Sequence, residues 1–251
     1  MKKTKYILVI LLLWATENFA QEKSRSLMDF QQKVKEEKSG MRRAGSPSLK
    51  NVQGTPYLSE KFLPSKVYFI DQDKPIEANL RYNAYSDDFE FFQGGNNYVI
   101  SNMEHIDSIK YFGHNFVHTA YTKKKGGLFG GSTDEMEGFL ARLVNGPCSL
   151  YKVYSVKFHD AKSAKTGYND PKPPRFEKET PIYCIQLKND PHPRVIQSFR
   201  EKKFLDNFGS LDKKLKKYIK ESNIRLKEED NLIKFIKYYN QQYGNKKRFN
   251  P

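Results

Sequence analysis

From residue 64 to 197 the chain alternates apolar and polar side chains in short runs. Ile76, Ala78, Leu80, Tyr82 and Ala84 are separated by Glu77, Asn79, Arg81 and Asn83, the period of two that marks a half-buried strand. Lys66 to Asp71 precedes it and ends in Asp-Gln-Asp. Phe89, Phe91 and Phe92 follow the turn Ser86-Asp87-Asp88, and Tyr98-Val99-Ile100 follows Gly94-Gly95-Asn96-Asn97. Further strands are expected at Ile106–Tyr111, Phe116–Tyr121 and Glu137–Val144. Another places Leu150, Tyr154, Val156 and Phe158 on one face, and Ile182–Leu187 closes the series with Tyr183, Ile185 and Leu187 together. Asn145-Gly146 is a hairpin turn signal. Strands this short, with turn residues every ~8–12 positions, predict an antiparallel meander. There is no alternation of strands with helices, so no parallel sheet is expected.

Two loops interrupt the pattern. Lys123 to Thr133 is basic and glycine-rich, and residues 160–179 are rich in Pro and Lys. After about 197 the period lengthens. Ser198 and Glu201 have capping-box spacing and predict a short helix ending at Gly209. Leu211, Leu215, Tyr218 and Ile219 fall at helical spacing, as do Leu232, Ile233, Ile236, Tyr239 and Tyr243. The last of these helices opens with Glu228-Glu229-Asp230, favourable beside the positive end of the helix dipole.

The N-terminal pattern differs again. Lys2, Lys3 and Lys5 precede an apolar run from Tyr6 to Ala15, and Phe19-Ala20-Gln21 ends the segment. Residues 1–20 therefore read as a cleaved secretory signal peptide. The apolar run is about half of the roughly 20 residues a membrane span needs. Position 21 is Gln, so no lipid-bearing cysteine follows the expected cleavage. Residues 21–53 read as a polar linker, with a short amphipathic helix over Leu27, Phe30 and Val34 and a flexible stretch from Gly40 to Asn51.

These readings give an α+β fold: a curved antiparallel β-sheet meander, forming a partial barrel or roll over 54–197, followed by a small C-terminal helical unit over 198–243 and a basic tail over 244–251. The formal charge is +15, and removing residues 1–20 lowers it to +13. Such charge concerns partners rather than fold. In an exported protein it points away from nucleic acid and toward an envelope protein or an anionic lipid or glycan surface.

Two cation clusters are candidates for that contact. Lys213, Lys214, Lys216, Lys217 and Lys220 lie opposite the Leu211/Leu215/Ile219 stripe. Lys123, Lys124 and Lys125 precede the glycine-rich loop. Each well-placed cation is worth about 1 kcal/mol against an anionic surface. The bland reading of both is a solvated face and a hairpin tip. Cys148 and Cys184 are the only cysteines, and export permits them to form a disulfide; the alternative is two separate buried thiols.

Catalytic and metal motifs do not hold together. His114 and His118 are four apart on an expected strand, which separates them by about 13 Å, too far to share an ion. His159-Asp160 has no nucleophile elbow nearby. Lys123–Lys125 precede their glycines, whereas a phosphate-cradling loop needs its Lys after them. No cofactor and no enzyme activity is expected, although a site assembled only by folding stays open.

The segments TPYLSEKF, LRYNAYSDDFEF, GFLARLVNGPCSLYKVY and EEDNLIKFIKYYN together resemble a group of secreted proteins of the Bacteroidota. The resemblance spans about residues 54–240. It implies an envelope location and transfers no functional residue, because no activity is established for the group. The functional expectation is a non-enzymatic exported binding or scaffold protein, with a carrier of a lipid or other apolar ligand as the alternative.

Overall fold

A computed structural model describes residues 41–43, 52–100, 103–125, 132–162, 172–208 and 213–243. The signal peptide, the helix expected over Leu27–Val34, the glycine-rich segment 126–131 and the basic tail lie outside the described residues. The fold is α+β, and most strand pairings are antiparallel. The chain divides into two compact units, one of residues 1–51 and 57–113 and the other of residues 52–56 and 114–251. The sequence expectation, one β region over 54–197 and a separate helical unit, is corrected on this point. The division falls within the β region, and the helices belong to the second unit.

The first unit holds β1 (Met41–Arg43), β2 (Leu63–Phe69), β3 (Ile76–Asn83), β4 (Asp88–Gln93), β5 (Asn96–Ile100) and β6 (Ile106–Tyr111). Their order across the sheet is β1-β5-β4-β3-β2-β6. The alternation read in β3 appears directly in its burial, with Ile76, Ala78, Leu80 and Tyr82 inward. β1 falls inside the stretch expected to be a flexible linker and pairs with β5, Met41 opposite Ile100.

A buried ion pair ties the segment before β2 to this sheet. Arg81 Nη2 reaches Glu90 Oε2 at 2.6 Å, with the two side chains 13% and 3% exposed. Asn83 Nδ2 donates to the other carboxylate oxygen at 3.2 Å. The guanidinium lies 3.7 Å from the Tyr57 ring centroid and 4.4 Å from that of Phe62. An ion pair this buried is tolerated because each charge has hydrogen-bond partners and aromatic cover.

The second unit is built on β7 (His114–Lys124), β8 (Thr133–Val144), β9 (Cys148–Val153), β12 (Ile182–Leu187) and β13 (Arg194–Val195). Their pairings run β7–β8–β9–β12–β13 and return to β7. Each step is antiparallel except the last, since a ring of five alternating strands must close on a parallel pair. That seam is one bridge, Arg194 opposite Thr122, so the barrel is partial. All five strands contribute to one buried cluster containing Val117, Tyr121, Leu140, Tyr151 and Cys184, with Val195 against it. These side chains fill the barrel interior.

Between β9 and β12, the hairpin β10 (Val156–His159) and β11 (Arg175–Lys178) stands as its own two-stranded sheet. Two expectations are corrected here. The run from Leu150 to Phe158 is two strands that break at Tyr154-Ser155, and β11 lies within the stretch read as a Pro- and Lys-rich loop. Gln53 bridges Arg175 of this hairpin, and the next residue, Gly54, sits at φ +74 where a Cβ would collide with the Phe176 carbonyl oxygen.

The helices α1 (Glu201–Leu205), α2 (Lys213–Glu221) and α3 (Glu229–Tyr243) cover the outer face of β9 and β12. Phe204, Phe208 and Phe235 pack ring to ring at 5.1–5.5 Å against Leu150, Ile185 and Leu187. Tyr218 of α2 stacks on Tyr238 of α3 at 3.7 Å. The capping box expected at Ser198 does not form. The backbone is still extended at Arg200, which is the N-cap of α1 and makes no side-chain cap bond. Ser198 Oγ accepts instead from the Arg200 N–H at 3.3 Å.

Candidate functional site

The second unit carries a cleft of about 680 Å³ where the barrel seam meets α1. Its polar walls are drawn from several elements, with Leu187 at the end of β12 among the lining residues. Thr122 and Lys124 end β7, Thr133 begins β8, Asp190 and Arg194 flank and open β13, and Lys203, Asp206 and Asn207 come from α1 and the turn after it. The seam brings them together: the Thr122 N–H donates to the Pro193 carbonyl at 2.8 Å, setting the end of β7 beside Arg194. The guanidinium of Arg194 is held from two sides. Its Nη1 lies 3.1 Å from Asp190 Oδ2, and its Nη2 donates to the Asn207 carbonyl. Arg194 is thus oriented before any ligand arrives, while Lys124 and Lys203 are exposed at the rim.

Of the cations singled out in the sequence, Lys124 lines this cleft. Lys123 is exposed on the same strand, and Lys125 is paired with Asp134 at 2.7 Å. The α2 cations lie elsewhere. Leu215 and Ile219 bury the opposite face of that helix, Lys213, Lys214, Lys217 and Lys220 are exposed, Lys216 is half-buried, and Lys217 is 3.6 Å from Glu221. The amphipathic stripe therefore packs the core and its lysines face outward, but none of the five lines the cleft. Arg194, Lys203 and Asp190 were not legible as site residues. They are far from Lys124 in sequence, and only the parallel seam brings them to it.

The disulfide expectation is corrected. Cys148 pairs in register with Leu187 and Cys184 with Tyr151. The cysteines are therefore three residues apart along adjacent strands, about 10 Å, beyond the roughly 7 Å that a disulfide spans. The odd offset also puts them on opposite faces, Cys148 under the helices and Cys184 inside the barrel. Both are free and buried, and burial pushes both thiols up to about 12.

A second polar cluster lies where α3 begins. Glu229 Oε2 is 2.6 Å from Lys152 Nζ and accepts from Tyr183 Oη at 2.7 Å. Burial would raise the Glu229 carboxyl, but the Lys152 and Tyr183 hydrogen bonds, with the charges of Lys152 and His114, outweigh it and hold it below its ordinary range. Burial chiefly lowers the nearby His114 imidazole, with Lys152 acting in the same direction and Glu229 against it. These groups satisfy one another, so the cluster fastens α3 to the barrel. At the other end of α3, Asn240 clamps the β8–β9 turn: its Oδ1 accepts from Cys148 N–H at 2.7 Å and its Nδ2 donates to the Cys148 carbonyl at 2.9 Å. Gly146 makes room for it, since a Cβ there would lie 2.6 Å from Asn240 Nδ2.

His114 and His118 both lie on β7, and His118 sits 3.5 Å from Glu137. His159 pairs with Glu177 at 3.0 Å across the β10–β11 hairpin. Among the described residues no group of three or more His, Cys, Asp or Glu side chains is placed to hold a metal ion. No helix among them is long and apolar enough to cross a membrane. No family model, curated protein or solved structure matches the chain.

Proposed function

We propose that this chain is an exported, non-enzymatic binding protein of the cell envelope, and that the cleft of the second unit takes a phosphorylated sugar, either free or as the head group of a glycolipid. One observation carries the reading: a pre-oriented Arg194 shares the cleft with Lys124, Lys203 and a set of hydroxyl and amide side chains. Guanidinium and ammonium groups suit phosphate oxygens. Asp190 and Asp206 would repel a bare anion, but they accept hydrogen bonds from sugar hydroxyls, which favours a phosphosugar over inorganic phosphate. The filled barrel interior supports this reading over a carrier of acyl chains, which would need an apolar cavity there. The charged and apolar order of residues 1–20 and the resemblance to secreted Bacteroidota proteins support export.

The test titrates the chain from Gln21 to Pro251 with glucosamine 1-phosphate in solution, and separately with phosphatidylcholine vesicles carrying lipid A. Binding to the soluble probe indicates a free ligand, and binding to the vesicles alone indicates a head group. The double variant Lys124→Glu/Lys203→Glu should weaken the productive arm at least tenfold. Binding to neither probe, or equal binding by the variant, overturns the assignment. Export is checked by mass spectrometry of the envelope fraction, where the mature protein should begin at Gln21.

A further inference from the structure

The first unit carries a surface that local structure does not explain. On its sheet β2 lies between β3 and β6. The register sets Glu77 opposite Lys66, and Lys66 opposite Lys110, so these three side chains form one row on the exposed face. In the next row Asn79 is opposite Pro64, and continuing the β2–β6 register by two residues brings Phe112 beside Pro64. These six residues line a groove of about 400 Å³.

Two placements in this groove run against local preference. Like charges directly opposite one another destabilise a sheet. Lys66 has Glu77 at 3.5 Å, but Lys110 has no acidic partner among the described residues, so Lys66 is neutralised and the ammonium group beside it is not. Phe112 has φ +50, a region that strains a bulky side chain, in a two-residue turn that favours Asn or Gly. The residue is 51% exposed, with the Tyr111 ring at 6.1 Å from its own, so only part of its apolar surface is buried to offset that strain. The chain keeps an under-neutralised cation pair and a strained, exposed ring in the same groove.

We propose that this groove binds an extended acidic saccharide, a chain of uronate sugars. The Phe112 ring supplies a flat apolar surface for the C–H face of one sugar. Lys66 and Lys110, about 4.8 Å apart at the strand spacing, hold carboxylates, and Asn79 and Glu77 take hydroxyls. The half-exposed Phe112 ring beside the lysines favours a sugar over an anionic membrane, because it offers a flat apolar face to a pyranose ring and a layer of lipid phosphates presents none. The row of side chains across three strands spans about 10 Å at the strand spacing, which two adjoining sugars of the chain cover. This inference uses no residue of the second unit's cleft.

The test is titration of the chain from Gln21 to Pro251 with tetragalacturonate and with the neutral chain cellotetraose, followed by amide and aromatic NMR shifts. Tetragalacturonate should move the Phe112 and Lys110 signals. Lys66→Gln/Lys110→Gln should weaken it at least tenfold and leave the weaker neutral binding unchanged. Phe112→Asn should weaken both sugars at least tenfold and raise Tm, because Asn tolerates a positive φ. A variant that gains stability while losing the ligand excludes misfolding as the cause. The Lys124→Glu/Lys203→Glu variant should bind tetragalacturonate like the unmodified chain, which separates this groove from the cleft. Absence of shifts at the groove, undiminished affinity in Phe112→Asn, or binding only to phosphatidylglycerol vesicles overturns the proposal.

Discussion

The two units hold their polar groups in different ways. In the first, Arg81 and Glu90 are almost wholly withdrawn from water and enclosed by aromatic rings. In the second, Lys152 and Glu229 join a helix start to the barrel with their side chains 14% and 31% exposed. Apolar packing differs in its arrangement: the first unit packs Tyr82, Phe89 and Tyr111 ring to ring against its own sheet. The second unit layers helical phenylalanines on one face of β9 and β12 and fills the barrel on the other. The contrast teaches where each unit is brittle. The first has a charge that cannot lose its partner, whereas the second relies on a packed aromatic layer.

The most severe way to break the comparison is to remove the feature on which each unit depends. Arg81→Ala leaves Glu90 buried without a counter-charge and should cost about 3–5 kcal/mol. Phe235→Ala, which empties a fully buried site among Phe204 and Phe208, should cost a similar ~3–5 kcal/mol. Urea unfolding measures both. The comparison sharpens if Arg81→Met with Glu90→Leu regains most of the loss, since paired apolar replacements remove the need for charge. It fails if Arg81→Ala is tolerated.

A smaller effect is expected at the α3 clamp. Asn240→Ala strands the backbone groups of Cys148 and should cost about 1–3 kcal/mol, read from the shift in the urea midpoint.

The half-buried network of the second unit should show itself through pH. His114 is lowered, so the unfolded chain binds its proton more readily. Stability should therefore fall as pH drops from the ordinary imidazole value of 6.5 toward the lowered folded one. Glu229 is also lowered, so its contribution is complete above the ordinary carboxylate range and is lost as pH falls through its depressed folded value. His114→Gln should flatten the upper part of that profile and Glu229→Gln the lower part. Identical profiles for both variants and the unmodified chain would refute the assignment.

The subtlest probe is chemical. Both thiols sit near 12 and are buried. Cys148 and Cys184 should resist alkylation at neutral pH and react together in denaturant, and a reducing agent should leave Tm unchanged.

Much of the fold was legible because it is written in local periods. The two-residue alternation in Ile76–Asn83 and the helical spacing of Leu215, Ile219, Leu232 and Ile236 each report which face meets the core. Asn145-Gly146 marked its turn for the same reason. β11 escaped notice because Phe176 is the sole buried residue of a four-residue strand among prolines and lysines. β1 is three residues long, too short to show an alternation.

The sites were less legible. Lys124 was picked out by its basic neighbours, but Arg194, Asp190 and Lys203 carry no local signature, and neither does the row of Glu77, Lys66 and Lys110. By itself the sequence determined the α+β class, the antiparallel pairing of most successive strands, though not the pairing of β6 with β2, and the helices after 197, because side-chain burial in a strand or helix follows from residue order alone. Tertiary structure alone decided the closing of β13 onto β7, the division at Gly113/His114, the separation of the two cysteines and the residues that share each groove. Those features depend on strand register and on contacts between distant segments, where a shift of one residue exchanges the faces of a strand.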